Sequence, residues 1–408
     1  MYDNKFICNA DEATSLILTK AMQASDQLTF AVGGCIIENA TGKVLYAIHN
    51  NVFKPLKNGK TYIYDPTAHG ERQLVSWYYK NKLPLKLPDA EELTIVTTLD
   101  PCIMCTGALL TAVFNVGVIA MDQHAGVNYD NTYNFCAIPG KLNSIIKKKF
   151  GYYSCGEANT PEKYKREKYV GAYGVAFCNS TVTGKNLMGC KEIFSASADV
   201  VHKWYSLNIL DETNQKDPWE LPDSSAIKRK FREIYPDAFT IRNDQGRLPG
   251  HKINALLKEV IKNRLGKVTK NAVALLDQFG NVILCLTDTY EESPIQTAFM
   301  NISQSYFRIV FELMDNEETR EEAEQYLRAP QYGTFVFLYA PNPNDATTIM
   351  DLGAYGSTIG RALPLLFPAN FQYFNPPLEG TITELYTTIM KLPPTYKYMG
   401  ITCNQVVL

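Results

Sequence analysis

One histidine, one glutamate and two cysteines stand at spacings that suit a divalent metal. His69 and Glu71 are separated by a single residue and follow Asp65-Pro66-Thr67-Ala68; Cys102 and Cys105 follow Asp100-Pro101. Cysteines three apart share one face of a helix. Asp100 is expected as the N-cap of that helix and Pro101 at its first position. A helix N-terminus directs free N–H groups and the positive end of its dipole at the sulfurs, which lowers thiol pKa and favours thiolates. His69 and Glu71 would diverge on a regular helix, so both can face a metal only from a first turn, which Asp65-Pro66 helps to place. Two thiolates and one neutral imidazole suit tetrahedral Zn2+ and leave a fourth position for water, with a formal site charge near zero. Glu71 then serves as the general acid–base that moves the water's proton, not as a ligand. The competing reading is a purely structural zinc. It requires a fourth protein ligand, His124 or Cys136, and leaves Glu71 without a purpose.

Chance does not readily produce both halves of this pattern. With five histidines, an H-x-E triplet arises by composition about a quarter of the time, whereas P-C-x-x-C arises on the order of one time in a hundred. In this order the two resemble the pattern of zinc-dependent deaminases. Thr97-Thr98-Leu99-Asp100-Pro101-Cys102-Ile103-Met104-Cys105-Thr106-Gly107-Ala108 is similar to the fungal cytosine deaminase version, as is His69-Gly70-Glu71. Asp65-Pro66-Thr67-Ala68-His69 is closer to guanine deaminases and tRNA adenosine deaminases. The resemblance spans roughly residues 10 to 125. It implies the cytidine/deoxycytidylate deaminase superfamily, a zinc cofactor, and hydrolytic release of ammonia from a nucleobase, nucleoside or related small amino-heterocycle. It also implies an asparagine after the second strand that holds the substrate, so Asn50 or Asn51 is the candidate. Ala68 and Gly70, which flank the ligand histidine, are further candidate contacts, and so is His124, near the expected pocket mouth. Phe114 and Tyr129 could stack on a base, with core packing the simpler reading for Phe114. His202 and His251 read as surface or packing residues.

The elements that must position these residues follow from periodicity. Asp11 to Ser25 reads as a helix, Phe30 to Ile37 and Lys43 to Ile48 as a hairpin, and the stretch up to Asp65-Pro66 as a long polar loop. A helix then runs to about Tyr79, ending before Pro84; Leu93 to Leu99 and Asn115 to Ala120 read as buried strands on either side of the cysteine helix. Strands alternating with helices predict an α/β fold, a cytidine-deaminase-like mixed sheet with helices on both faces. The C-terminal region repeats that order: strand Ala272 to Leu276, turn, strand Val282 to Leu286, a helix after Pro294, a charged stretch, strand Phe335 to Tyr339, and another helix after Pro343. It reads as a degenerate second copy. Counting from Pro294 puts Thr297 and Phe299 opposite His69 and Glu71, and counting from Asn342-Pro343 puts Asn344 and Thr347 opposite Cys102 and Cys105. The expected organisation is a zinc deaminase domain at 1–135, a connecting region of unassigned fold at 136–245 that holds a helix from Ser197 to Leu207, and a deaminase-like domain without zinc ligands at 246–408. The two copies are expected to pack as an internal pseudo-dimer; an unrelated appended α/β domain is the alternative.

Composition bounds the partners. The chain has 408 residues, 46% apolar and 20% charged, with a formal net charge of −2, so it has no global electrostatic footprint for nucleic acid. The basic runs at Lys147-Lys148-Lys149, Lys163 to Lys168 and Lys228-Arg229-Lys230 read as solvated faces or helix ends. A small-molecule substrate is therefore expected. The alternatives are a polynucleotide deaminase acting on tRNA or single-stranded DNA, and a zinc-holding scaffold without turnover. No apolar run has the length of a membrane span or a signal peptide, and ten scattered cysteines suit a reducing compartment, so a cytoplasmic location is expected.

Overall fold

The computed structural model describes residues 5–130, 132–153, 174–178, 180–207, 215–244, 248–264, 269–327, 332–359, 371–398, 403–406 and 408. The chain opens with helix α1 (Ala10–Asp26), whose first turn is capped by the Asn9 side chain. Then come β1 (Gly33–Glu38), β2 (Val44–His49), the short strands β3 (Phe53–Pro55) and β4 (Thr61–Ile63), α2 (Gly70–Leu85), β5 (Leu93–Leu99), α3 (Ile103–Thr111), β6 (Asn115–Ala120), α4 (Gly140–Lys149) and β7 (Phe150–Tyr152). The sheet order is β2-β1-β5-β6-β7. β1 is antiparallel to β2 and β5; β5, β6 and β7 run parallel. β5 and β6 are buried at every position, as expected of strands covered by helices on both faces. Alternation sorts their side chains. Cys35, Ile37 and Val96 pack toward α1 with Ile17 and Cys190, whereas Ile36 and Ile95 face the layer of Leu74, Tyr78, Met104 and Ala108.

Two local expectations are corrected. The loop before Asp65 is not plain coil: β3 and β4 pair as an antiparallel ribbon. α2 does not stop before Pro84 but runs through it to Leu85, ending at Lys86 in the left-handed region (φ 52°). A proline in the last turn removes one backbone donor there without reaching the interior of the helix.

The stretch 136–245 divides between its neighbours. β7 is the fifth strand of the first sheet. α5 (Gly184–Leu207), longer than the expected Ser197 start, packs on α1, where Asp11 Oδ1 accepts from Thr183 N at 2.8 Å, and Ser197 Oγ accepts from Ala31 N at 2.8 Å. α6 (Ala226–Ile234) and α7 (His251–Lys262) belong to the second sheet. That sheet is built from β8 (Ala272–Leu276), β9 (Val282–Thr287), β10 (Thr334–Tyr339), β11 (Phe371–Asn375) and β12 (Cys403–Gln405), with helices α8 (Ala298–Asp315), α9 (Glu317–Tyr326), α10 (Ala346–Ile359), α11 (Ile382–Met390) and α12 (Pro394–Tyr398).

The second sheet reproduces the first. Its order is β12-β11-β10-β8-β9; β8 is antiparallel to β9 and β10, and β10, β11 and β12 run parallel. The agreement extends to register. Gly33 pairs His49 as Ala272 pairs Thr287, and both hairpins shift register at the same step, between Ile36 and Ile37 and between Leu275 and Leu276. A bulge shared at one step of an otherwise common ladder is a detail that strand order alone does not require. The two sheets share a core: the residues of α2 and α3 and those of α8 and α10 form one buried apolar cluster.

Candidate metal centre

His69 is the N-cap of α2, with extended backbone (φ −70°, ψ 150°), and Glu71 lies in that helix's first turn. Across the pocket, Cys102 is the N-cap of α3 and Cys105 lies one turn in. Asp100 is not the N-cap expected from the sequence; the cap lies two residues on. Asp100 ties the site down instead, with Oδ1 accepting from Tyr152 Oη at 2.6 Å and Oδ2 from Asn128 N at 2.8 Å. Leading each helix with a ligand aims both N-termini at one point, where their positive ends favour thiolates.

The two helix ends bring three donors together. His69 Nδ1 is 3.5 Å from Cys102 Sγ, and one ligand atom from each of His69, Cys102 and Cys105 lies within 4.8 Å of the others. Zinc bonds of roughly 2.0 Å to nitrogen and 2.3 Å to sulfur fit a triangle of that size with small adjustments. Neither proposed fourth ligand joins the cluster: the exposed His124 is held through its backbone, and Cys136 Sγ is 3.5 Å from Tyr129 Oη and 3.4 Å from Asp130 Oδ2. Among the described residues, this is the one group of His, Cys, Asp and Glu that could hold a metal.

Glu71 is 3% exposed, and its Oε1 accepts from Thr97 Oγ1 at 2.9 Å. Burial, with help from the charge on Cys102, pushes its carboxyl above the usual range. Without metal, a hydrogen bond from the Cys105 thiol holds Cys102 well below an ordinary thiol, helped by His69. Burial works against charge on His69, but the neighbouring Cys102 sulfur outweighs it and raises the imidazole.

The candidate substrate contacts separate. Asn50 is buried, and its Oδ1 accepts from Gly70 N at 2.6 Å; its Nδ2 has no partner among the described residues. Asn51 is committed elsewhere, to His49 O, Gln73 Oε1 and Gln27 Nε2. The Ala68 carbonyl is taken by Gln73 Nε2 at 2.7 Å. Phe114 is core, edge-on to Tyr78 with ring centroids 5.0 Å apart. Tyr129 is half-buried beside Cys136.

One residue at the site was not found from sequence. Tyr396, on α12, is 4% exposed and lies beside Cys102, and its neighbour Thr395 donates Oγ1 to the His124 carbonyl at 2.9 Å. Nothing in the local pattern near Tyr396 marks it, because its partner lies almost the whole chain away. The second sheet's helices also fix the loop before His69. Arg308 Nη2 lies 2.9 Å from the buried Asp65 Oδ2, Thr67 N and Oγ1 donate to Asp65 Oδ1, and Gln304 Nε2 donates to Thr67 Oγ1 at 3.2 Å. Burial alone would raise the Asp65 carboxyl, but the guanidiniums of Arg72 and Arg308 hold it below its ordinary value.

Residues 9–121 match the family model described as the cytidine and deoxycytidylate deaminase zinc-binding region. This stretch is similar to a deaminase zinc-binding region. No curated protein matches the chain. Among solved structures, a tRNA:A34 deaminase studied for A-to-I editing at the wobble position is 20% identical, with 28% of this chain and 80% of that one covered and a TM-score of 0.22. The guanine deaminase from Nitrosomonas europaea is 12% identical, covering 50% of this chain and 89% of that one, with a TM-score of 0.28. The three groups that geometry brings together, His69, Cys102 and Cys105, all lie within the matched residues. Outside it, several lysines of the basic runs are spent on the protein itself: Lys149 pairs with Glu91, Lys230 with Glu312, and Lys228 Nζ donates to Leu221 O at 2.7 Å. The run Lys163 to Lys168 lies outside the described residues. No helix among the described residues is long and apolar enough to cross a membrane.

Proposed function

We propose that the chain is a zinc-dependent hydrolytic deaminase of a nucleobase, nucleoside or related small amino-heterocycle. The carrying observation is the buried Glu71 carboxylate, oriented by Thr97 beside three donors that leave a metal's fourth position open. His69, Cys102 and Cys105 would hold the zinc, which would supply a water of lowered pKa near neutral pH. Glu71 would take a proton from the attacking water and deliver it to the ring nitrogen next to the amino-bearing carbon. Oxygen bonds to that carbon, the carbon–nitrogen bond breaks, and a second proton passed through Glu71 leaves with ammonia. A raised carboxyl pKa suits a group that must both accept and donate. Asn50, fixed through Oδ1 by Gly70 N, presents Nδ2 as a donor to the substrate; Asn51 has no such freedom.

A small substrate is preferred over a polynucleotide because the chain carries no net positive charge and the described lysine runs are partly neutralised by carboxylates. We assign residues 1–135, completed by the strand at 150–152, to the deaminase domain and residues 246–408 to a degenerate copy. Buried free thiols at Cys35, Cys190 and Cys285 suit a reducing, cytoplasmic setting.

The test is ammonia release over a panel of bases, nucleosides, nucleotides and a tRNA. A base or nucleoside is expected to be the best substrate. Glu71→Gln should keep its zinc and lose activity by at least ~100-fold, the scale of general acid–base loss. Loss of metal in that variant, or normal turnover, overturns the role given to Glu71; activity on tRNA alone overturns the substrate class.

A further inference from the structure

The second sheet keeps a cavity where the first holds its metal donors. Thr297 caps α8 three residues after Pro294, as His69 caps α2 three residues after Pro66, which agrees with the pairing read from sequence. The cysteine counterparts are not Asn344 and Thr347. The packing of α3 on α10 fixes the frame: a Cβ on Gly107 would run into the backbone of Met350, and a Cβ on Gly353 into the backbone of Met104. This reciprocity equates Met104 with Met350 and Gly107 with Gly353. Cys105 therefore corresponds to Asp351, and Cys102 to Thr348. Ladder position equates Thr97 with Phe337.

These counterparts line one cavity of about 290 Å³, with Thr297, Thr348, Asp351, Phe299 and Phe337 in its wall. Its volume is near the lower end for small-molecule sites. Thr297 Oγ1 donates to Asp351 Oδ1 at 2.7 Å, and this is the only hydrogen bond of the Asp351 side chain among the described residues. A buried carboxyl with one oxygen uncommitted and no cation beside it is costly unless a partner reaches it or it stays protonated. Tyr290 and Tyr339 add flat apolar surface, and Asp345 and Glu379 stand in the wall with Lys270.

We propose that this cavity binds an uncharged amino-heterocycle of nucleobase size without turning it over. Asp351 engages an amino or ring N–H edge, and the aromatic side chains cover the ring faces. No counterpart of Glu71 is present to move a proton, since Phe299 stands there. Two wall carboxylates, Asp345 and Glu379, against one lysine disfavour a phosphorylated ligand. The site is separate from the metal centre and goes beyond the deaminase reading.

Equilibrium dialysis tests it with cytosine, adenine, guanine and their 5′-monophosphates, using the full chain carrying Cys102→Ser to disable the metal centre. One base per chain should still bind, and its monophosphate should bind at least ~10-fold more weakly. Adding Asp351→Leu should weaken the base by about 10-fold or more, the scale of a buried hydrogen-bonded pair. Leu378→Trp, at a wall residue that is 64% exposed, should do the same by filling the mouth, and it decides the matter if the Asp351 variant fails to fold. No base bound to the Cys102→Ser chain, or binding untouched by Leu378→Trp, overturns the proposal; equal binding of a monophosphate overturns the ligand class. Failure of the deaminase reading shows separately, in zinc content and in the Glu71→Gln ammonia assay.

Discussion

Asp351 is buried, and burial pushes its carboxyl up to about 8, against a hydrogen bond from Thr297 that acts to lower it. In the unfolded chain the same group titrates near its ordinary value. Between these two values the folded state holds a proton that the unfolded state has released, so stability falls as pH rises through that window. Asp351→Asn cannot titrate. Its stability relative to the parent should therefore grow from pH 4.5 to pH 8.5, by on the order of a few kcal/mol at the upper end. Urea unfolding of both chains at several pH values checks this, and a difference that does not change with pH would remove the buried-carboxyl argument. At the same scale, the clustering of His69, Cys102 and Cys105 was legible in the sequence because metal-binding chemistry demands fixed residue types at short spacings. Asn50 and Asn51 were not separable, because only the fold shows that Gly70 N fixes one while Gln27 and Gln73 occupy the other. Tyr396 was illegible for a related reason, since the contact that matters is with a residue far away in sequence.

Buried strands and the helices between them carried clear periodic signals, and β5, β6, β8 and β10 fall within a residue of their expected bounds. Short polar strands such as β3 and β4 have too few residues for alternation to show. The frame of α10 was misread because the connection from β10 is longer than that from β5, so counting from a proline slips the alignment. Packing restores it, and packing also makes α3 and α10 sensitive to small changes. Gly107→Ala or Gly353→Ala places a methyl against backbone, which cannot move aside as a side-chain tip can. Each should destabilise the chain by about 1–3 kcal/mol, the usual scale for overpacking. Gly107→Ala should also weaken zinc retention, because Cys105 is two residues away on the same helix. Chemical unfolding with a metal assay reads both effects; a neutral Gly353→Ala would mean the helices are not packed as described.

At the scale of the molecule, the C-terminal half supports the candidate metal site of the N-terminal half in three ways: α10 packs on α3, Arg308 and Gln304 hold the loop before His69, and Tyr396 lies beside Cys102. Purified protein should contain about one zinc per chain, since a single donor set is present among the described residues; Cys102→Ser should abolish it. A chain ending at residue 244 should aggregate, because the α3 face that receives α10 would be bared and Asp65 would lose Arg308. A soluble, monomeric and fully active truncation would show that the second half is not a structural partner. The metal centre is thus local in sequence, while its support is spread across the whole chain.

The contact between α3 and α10 has a consequence for synthesis. Cys105 leaves the ribosome long before α10 does, and at roughly 5–20 residues per second the interval is on the order of ten seconds to a minute. Throughout it, the nascent chain carries an imidazole and two thiols on helices whose covering partner has not yet been made. Metal capture and thiol oxidation therefore compete during translation itself. His69 and Cys102 stay partly accessible once α10 has docked, so zinc can still reach the donors in the finished fold, whereas a thiol oxidised during that interval has already lost its place in the cluster.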